Sequence, residues 1–198
     1  MKEYLVVISG ASGSVYGLRL VERLLSGGAG VTLIVTKAGR EVMAFETGFA
    51  LPDAGAAEAL LHFLALPTSL PLRVVDSADL FDRVASGSSA PDAMIVCPAS
   101  MGFVASVAAG LASDLPERAA DVMLKECRPL VLVPRETPLS LVHLRNLTAV
   151  TEAGAVVLPA MPAFYNKPAG LDDMVNFVVG KVLDVLGIEH DLYRRWTE

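Results

Sequence analysis

The stretch Leu130-Val131-Leu132-Val133-Pro134-Arg135-Glu136-Thr137-Pro138-Leu139 joins two opposite kinds of residue. Leu130 to Val133 is a short apolar run of the kind that forms a strand buried in a parallel sheet. Arg135 and Glu136 follow at once, too polar for a core, between two prolines that stiffen the turn and remove two backbone donors. Ser140 to Ala153 then carries apolar residues at helical spacing. A buried strand that ends in charge and turns into a helix is one unit of an open α/β sheet, and ligands bind such sheets at the strands' C-terminal ends. A surface Arg–Glu pair in an ordinary loop is the plainer reading, since such pairs are common and weak.

The unit recurs along the chain. Leu5 to Ser9 reads as the first strand, Gly10-Ala11-Ser12-Gly13-Ser14-Val15-Tyr16-Gly17 as a small-residue turn, and Val15 to Leu25 as a helix. Small residues let backbone N–H groups and the helix N-terminus approach an anion. The glycine spacing matches neither GxGxxG nor the P-loop. Val31 to Val35 reads as the second strand and ends at Thr36, a neutral hydroxyl where a dinucleotide enzyme usually carries an acid. That favours a mononucleotide. Ala38 to Thr47 reads as a helix with Glu46 near its end, where a carboxylate opposes the helix dipole. Ala54 to Leu66 reads as a further helix, and Leu72 to Val75 as a brief strand.

Ala85-Ser86-Gly87-Ser88-Ser89-Ala90-Pro91 is a small-residue loop whose length suits one wall of a pocket. Ala93 to Cys97 reads as a strand, and Pro98-Ala99-Ser100-Met101-Gly102-Phe103 as a second turn with a hydroxyl, leading into an alanine-rich helix. On Ser113 to Glu126, Arg118 and Lys125 share one helix face, as a phosphate grip or as a solvated stripe. Ala155 to Leu158 reads as the last core strand, and the three prolines of Pro159 to Pro168 frame the pair Phe164-Tyr165. Leu171 to Leu186 reads as an amphipathic helix carrying Lys181, followed by a tail from about residue 187 that holds Trp196.

Alternating strands and helices over 198 residues predict a single-domain, three-layer α/β fold with a mostly parallel sheet. Hydrophobic residues at 53% and charged residues at 19% exclude disorder and point to extra burial in an oligomer. A formal charge of −6 without a basic run argues against nucleic acid. The N-terminus does not resemble a signal peptide, and no apolar run is long enough to span a membrane. Cys97 and Cys127 form no CxxC motif, and a reducing, cytoplasmic protein is expected. His62, His143 and His190 lack metal-ligand spacing.

In order and spacing these landmarks resemble the UbiX/Pad family of flavin prenyltransferases, within the flavoproteins related to homo-oligomeric cysteine decarboxylases. The resemblance is carried by Gly10-Ala11-Ser12-Gly13 with Tyr16-Gly17-Leu18-Arg19, by Ala85-Ser86-Gly87-Ser88, and by Cys97-Pro98-Ala99-Ser100. Arg118-Ala119-Ala120-Asp121-Val122 with Leu124-Lys125-Glu126, Pro134 to Pro138, Phe164-Tyr165 and Arg195-Trp196 complete it. It implies a Rossmann-like fold, FMN bound at a subunit interface in a homododecamer, and no metal. It implies transfer of a dimethylallyl group from dimethylallyl monophosphate to reduced FMN. The prenylated FMN would go to a UbiD-type decarboxylase, a step associated with ubiquinone biosynthesis.

On this resemblance Gly10, Ala11, Ser12, Thr36, Ser86, Ser100, Met101, Gly102, Phe103 and Arg135 would hold FMN. Arg118, Lys125, Tyr165 and Lys181 would hold the prenyl phosphate, and Ser12, Glu46 and Glu136 would line the reacting centre. The chain departs from the family's pattern at Lys181, where arginine is frequent, at Ala99 and Cys127, and at Leu80, where some members place a tryptophan. Two other readings compete: an FMN-dependent decarboxylase of the wider superfamily, and a flavin carrier without chemistry. The first needs a histidine after the first glycine turn, and none of the three lies there.

Overall fold

The computed structural model describes residues 1–195; Trp196 lies outside the described residues. Among the described residues six strands run parallel: β1 Glu3–Ile8, β2 Gly30–Val35, β3 Leu72–Val75, β4 Ala93–Ala99, β5 Leu130–Pro134 and β6 Val156–Val157. Their order is β3-β2-β1-β4-β5-β6. The central strands are mostly apolar because helices cover both faces of the sheet, with Thr32 of β2 a buried exception. Along β1 the side chains alternate between two cores, with Val6 and Ile8 in one and Leu5 and Val7 in the other.

Helices α1 Ser14–Ser26, α2 Lys37–Thr47, α3 Ala56–Phe63 and α7 Leu171–Val185 fill the first core. Helices α4 Met101–Ala108, α5 Leu115–Lys125 and α6 Leu141–Glu152 fill the second. This is the expected three-layer α/β fold with a parallel sheet. The chain passes from β1 to β2 on one side and returns to β4 on the other, so the loops after β1 and β4 diverge at a switch point. Gly17 lets α1 ride directly on this point, since a Cβ there would collide with the Cys97 carbonyl oxygen and the Ile8 side chain.

Several elements differ from expectation for local reasons. Helix α3 is shorter than Ala54 to Leu66, because Gly55 at φ 66° and Ala65 at φ 54° are left-handed and bound it at both ends. Strand β6 keeps only Val156–Val157 of the expected Ala155 to Leu158, as an edge pairing with β5 alone. Strand β4 runs past Cys97 to Ala99, with an irregular register between Val96 and Ala99 around Pro98, which has no N–H to give the ladder. The loop at 85–91 is two short 3-10 turns, Arg83–Ala85 and Gly87–Ser89, the first of them packed on α5.

Candidate functional site

Four turns meet at the C-terminal edge of the sheet, held by hydrogen bonds the chain supplies itself. Ser9, buried at the end of β1, donates from its hydroxyl to the Pro98 carbonyl at 2.8 Å and accepts from the Ser100 N–H at 2.7 Å. Thr36 N–H donates to the Ile8 carbonyl at 3.0 Å, and the Thr36 hydroxyl caps α2 by accepting from Gly39 N–H at 3.1 Å. Ser100 caps α4 in the same way, accepting from Phe103 N–H at 3.2 Å. Arg135 N–H donates to the Ala99 carbonyl at 3.3 Å, and its Nε donates to the Ser12 carbonyl at 3.0 Å. The hydroxyl-bearing turns and the Arg-Glu turn therefore converge on one edge, as the C-terminal ends of parallel strands must.

The first turn holds a finding the sequence did not suggest. Gly13 N–H donates to the Glu46 carboxylate at 2.9 and 3.1 Å, and Ser14 N–H donates to it at 2.9 Å. The amides expected to attract an external anion are met by a carboxylate from the end of α2. Glu46 thus opposes the dipole of its own helix but complements that of α1. Partial burial works against its ionised form, and hydrogen bonds from the Ser12 hydroxyl and the Ser14 and Gly13 amides outweigh this and hold its pKa below the ordinary value.

A cavity of about 1070 Å³ opens beside this turn. Ser12, Tyr16, Glu46 and Arg135 line it, with the segment 169–175 that begins α7 as the opposite wall. Cofactor and small-molecule clefts run to about 300–1,000 Å³, so the space suits a flavin-sized ligand. The fit is also chemical: the apolar wall can hold a ring system, and the Arg135 guanidinium supplies a cation at the polar end. Tyr16 was not singled out as a site residue by sequence reasoning. Its phenol is half-buried, and burial, with a smaller push from Cys97, holds its pKa above the ordinary value against the lowering by Arg135. Its place in Tyr16-Gly17-Leu18-Arg19, one turn into the helix after the glycines, was the available signal. Arg19 of the same motif fastens the opposite wall, reaching Asn176 at 2.5 Å and Asp172 at 3.0 Å.

The remaining expected residues divide. Gly10 and Ala11 form the tight start of the first turn, and Gly10 lies against Ala38 of α2. Thr36 and Ser100 to Phe103 stand at the same sheet edge without lining the cavity, with Met101 and Phe103 buried and Gly102 exposed. Glu136 is half-buried beyond Arg135, and its Oε1 accepts from Thr137 N–H at 3.0 Å. Ser86 faces Ser88 at 3.0 Å, and the serine loop is not part of the cavity wall.

The expected phosphate-binding residues do not come together in one chain. Arg118 Nε donates to the Ala85 carbonyl at 3.2 Å, and its Nη1 pairs with Asp121 at 2.7 Å. Lys125 pairs with Glu126 beside Gly87. Both cations lie on α5, on the opposite face of the sheet from α7. Lys181 is on α7, 3.4 Å from Asp184, and Tyr165 meets Phe177 of α7 edge-on at 5.9 Å. No helix among the described residues is long and apolar enough to cross a membrane.

A family model described as Flavoprotein matches residues 1–183. The chain is 46% identical over 194 residues to a protein of Pseudomonas aeruginosa named flavin prenyltransferase UbiX, covering 98% of this chain and 93% of that one. A solved structure named AnUbiX, in complex with FMN and dimethylallyl pyrophosphate, is similar with a TM-score of 0.88 and 35% identity, over 98% of this chain and 97% of that one. A dodecameric FMN-dependent UbiX-like decarboxylase from Escherichia coli O157:H7 is similar with a TM-score of 0.86 and 38% identity, over 98% of each chain.

Proposed function

This chain belongs to the flavoprotein family, and on that premise we propose that it is a flavin prenyltransferase, moving a dimethylallyl group from dimethylallyl monophosphate to N5 and C6 of reduced FMN. The observation that carries the reading is the cavity at the switch point, which one chain builds from Ser12, Glu46 and Arg135. Reduced FMN, when bound, supplies the nucleophilic atoms that take the allylic carbons. Thr36 and Ser100 to Phe103, at the same edge, hold it together with Gly10 to Ser12 and Arg135, and Ser86 joins them from the serine loop.

Breaking an allylic C–O bond leaves growing negative charge on the phosphate. Arg118, Lys125 and Lys181, with the Tyr165 phenol, neutralise that charge where it develops. Glu136, on the stiff turn after β5, moves the protons, ending on the departing phosphate. Ser12 and Glu46 shape the reacting centre from the first turn. Holding two partners in register supplies much of the rate. Since Arg118 and Lys125 lie across the sheet from Lys181, a second copy of the chain brings them to the site. A homododecamer provides that second copy, in line with the dodecameric neighbour. The product goes to a UbiD-type decarboxylase. The two free cysteines, Cys97 buried and Cys127 exposed, accord with a cytoplasmic setting.

The test is anaerobic incubation of the purified protein with reduced FMN and dimethylallyl monophosphate, followed by mass spectrometry of the flavin. A flavin heavier by one dimethylallyl unit is expected. Unchanged flavin with both the monophosphate and the pyrophosphate would overturn the reading.

A further inference from the structure

We infer that Asp184 is a positioning residue for the prenyl-phosphate end of the site, fixing Lys181 directly and Tyr165 through Phe177 and Tyr193. The inference rests on the reading of Lys181 and Tyr165 as phosphate-binding groups.

Asp184 lies one turn beyond Lys181 on α7 and gathers the folded-back tail around its two oxygens. Oδ1 accepts from Arg195 Nη2 at 3.1 Å and faces His190 Nε2 at 3.2 Å. Oδ2 accepts from the Tyr193 hydroxyl and lies 3.4 Å from Lys181 Nζ. Leu192 N–H donates to His190 Nδ1 at 3.2 Å, which assigns the ring proton to Nε2, aimed at Asp184. The His190 side chain is 4% exposed, so the cluster is anchored and not a loose surface pair. Gly180 makes the approach possible, since a Cβ there would lie 2.6 Å from Tyr193 and 2.8 Å from His190.

The aromatic rings carry the second route. The Tyr193 ring lies 4.9 Å from Phe177, and Phe177 lies 5.9 Å from Tyr165 at an interplanar angle of 84°. Lys181 and Tyr165 therefore both answer to one carboxylate. Partial burial works against ionisation of Asp184, but Tyr193, Arg195 and Lys181 outweigh it and hold its pKa at about 2.

Two effects of Asp184 on a bound phosphate oppose each other. Its negative charge repels the phosphate, and its bonds orient the groups that bind it. The repulsion is small, because Arg195 and Lys181 already balance the charge. The orientation matters more, since a lysine is a point charge on a flexible four-carbon stem and holds no fixed direction unaided.

The experiment measures steady-state prenylation by the FMN-binding full chain with dimethylallyl monophosphate as the varied substrate. Lys181→Met should raise KM about tenfold or more, and Asp184→Asn should raise it about tenfold, as expected for losing charge-assisted hydrogen bonds. FMN occupancy should be unchanged and kcat should fall much less than KM rises. The double variant should exceed Lys181→Met alone only by the part carried through Tyr165, and should fall short of the product of the two single effects, because Asp184 acts in part through Lys181. Tyr193→Phe, which removes one donor without changing charge, keeps the test available if Asp184→Asn does not fold, and should raise KM about threefold. A lower KM in Asp184→Asn, or a lower melting temperature with KM unmoved, overturns the inference alone. An unchanged KM in Lys181→Met overturns the phosphate reading of that residue, and the inference with it.

Discussion

Two charged regions of this molecule were expected to serve one site, and the fold treats them differently. At the C-terminal edge of the sheet, Glu46 closes on the amides of Gly13 and Ser14, and Arg135 closes on the Ser12 carbonyl. Residues from four loops meet in that region within one chain. On α5, Arg118 and Lys125 contact their own neighbourhood: the serine loop, Asp121 and Glu126. Such exposed pairs contribute little to folding, typically ~0–1 kcal/mol. The first region ties its turns to one another by hydrogen bonds within the chain. The second keeps its cations on the surface, where a second copy of the chain can reach them.

The largest expected effect separates the two regions by one carboxylate from each. Glu136→Gln keeps size and shape but removes the titrating group. General acid–base roles are typically worth about 10²–10⁴-fold, and we expect a loss of that order in prenylated flavin formation with FMN binding little changed. Glu126→Gln, at a carboxylate that pairs with exposed Lys125, should stay within about threefold of the parent rate. Similar small effects at both positions would break the contrast. Loss of FMN binding in Glu136→Gln would make that residue a support for Arg135.

Next in size is the divided phosphate grip. Arg118→Ala should raise KM for the prenyl phosphate by about tenfold or more, as for a charge-assisted bond. The stability of the chain should change by no more than about 1 kcal/mol. At prenyl phosphate well below KM, mixed oligomers of Arg118→Ala and Glu136→Gln chains should exceed the activity of either variant alone, because some interfaces then pair two intact halves. No recovery, with mixed assembly demonstrated by mass spectrometry, would place both halves in the same chain.

The legibility of these regions in sequence follows from the range of the forces involved. The strands from Leu5, Val31, Leu72, Ala93 and Leu130 read correctly within about two residues, because apolar runs between turns are local signals. The convergence of the Ser12, Thr36, Ser100 and Arg135 turns was legible as well, since parallel topology alone brings strand ends to one edge. The Ala54 to Leu66 reading overruns α3 because the exposed, left-handed Ala65 closes a capping turn in which Leu66 N–H donates to the Leu61 carbonyl at 2.8 Å, and nothing in alanine announces it. Glu46 was recognised as a carboxylate at a helix end, but its target lies more than thirty residues away on another helix. The spacing of Arg118 and Lys125 gave their shared face, while the partner of that face is a loop read as a pocket wall.

Glu46 itself gives a smaller effect. Glu46→Gln replaces a charged acceptor at the N-terminus of α1 with a neutral one, and the carboxylate is largely exposed. A loss of about 1 kcal/mol in unfolding free energy is expected, measurable by denaturant titration. Because the folded-state pKa of Glu46 is depressed, its contribution is fully present above the ordinary carboxylate range. It is lost as pH falls through the depressed value. The parent and variant stability curves should therefore meet in acid and separate toward neutrality. Parallel curves would mean that the carboxylate does not complement the helix in solution.

The smallest effect discriminates best between the two kinds of region. Glu46 and Glu126 both have depressed pKa values, but for different reasons. Hydrogen bonds from the Ser12 hydroxyl and from fixed amides of the first turn lower Glu46. A hydrogen bond from the exposed Lys125 ammonium, together with its charge, lowers Glu126. Salt screens free charges, with a Debye length of about 10 Å at 0.1 M and about 3 Å at 1 M, but it does not remove a hydrogen bond held by rigid backbone. Carboxyl pKa values followed by NMR at low and high salt should show Glu126 returning toward the ordinary value while Glu46 stays depressed. If both returned together, the Glu46 contact would be an ordinary surface attraction, and the first turn would be no more preorganised than α5.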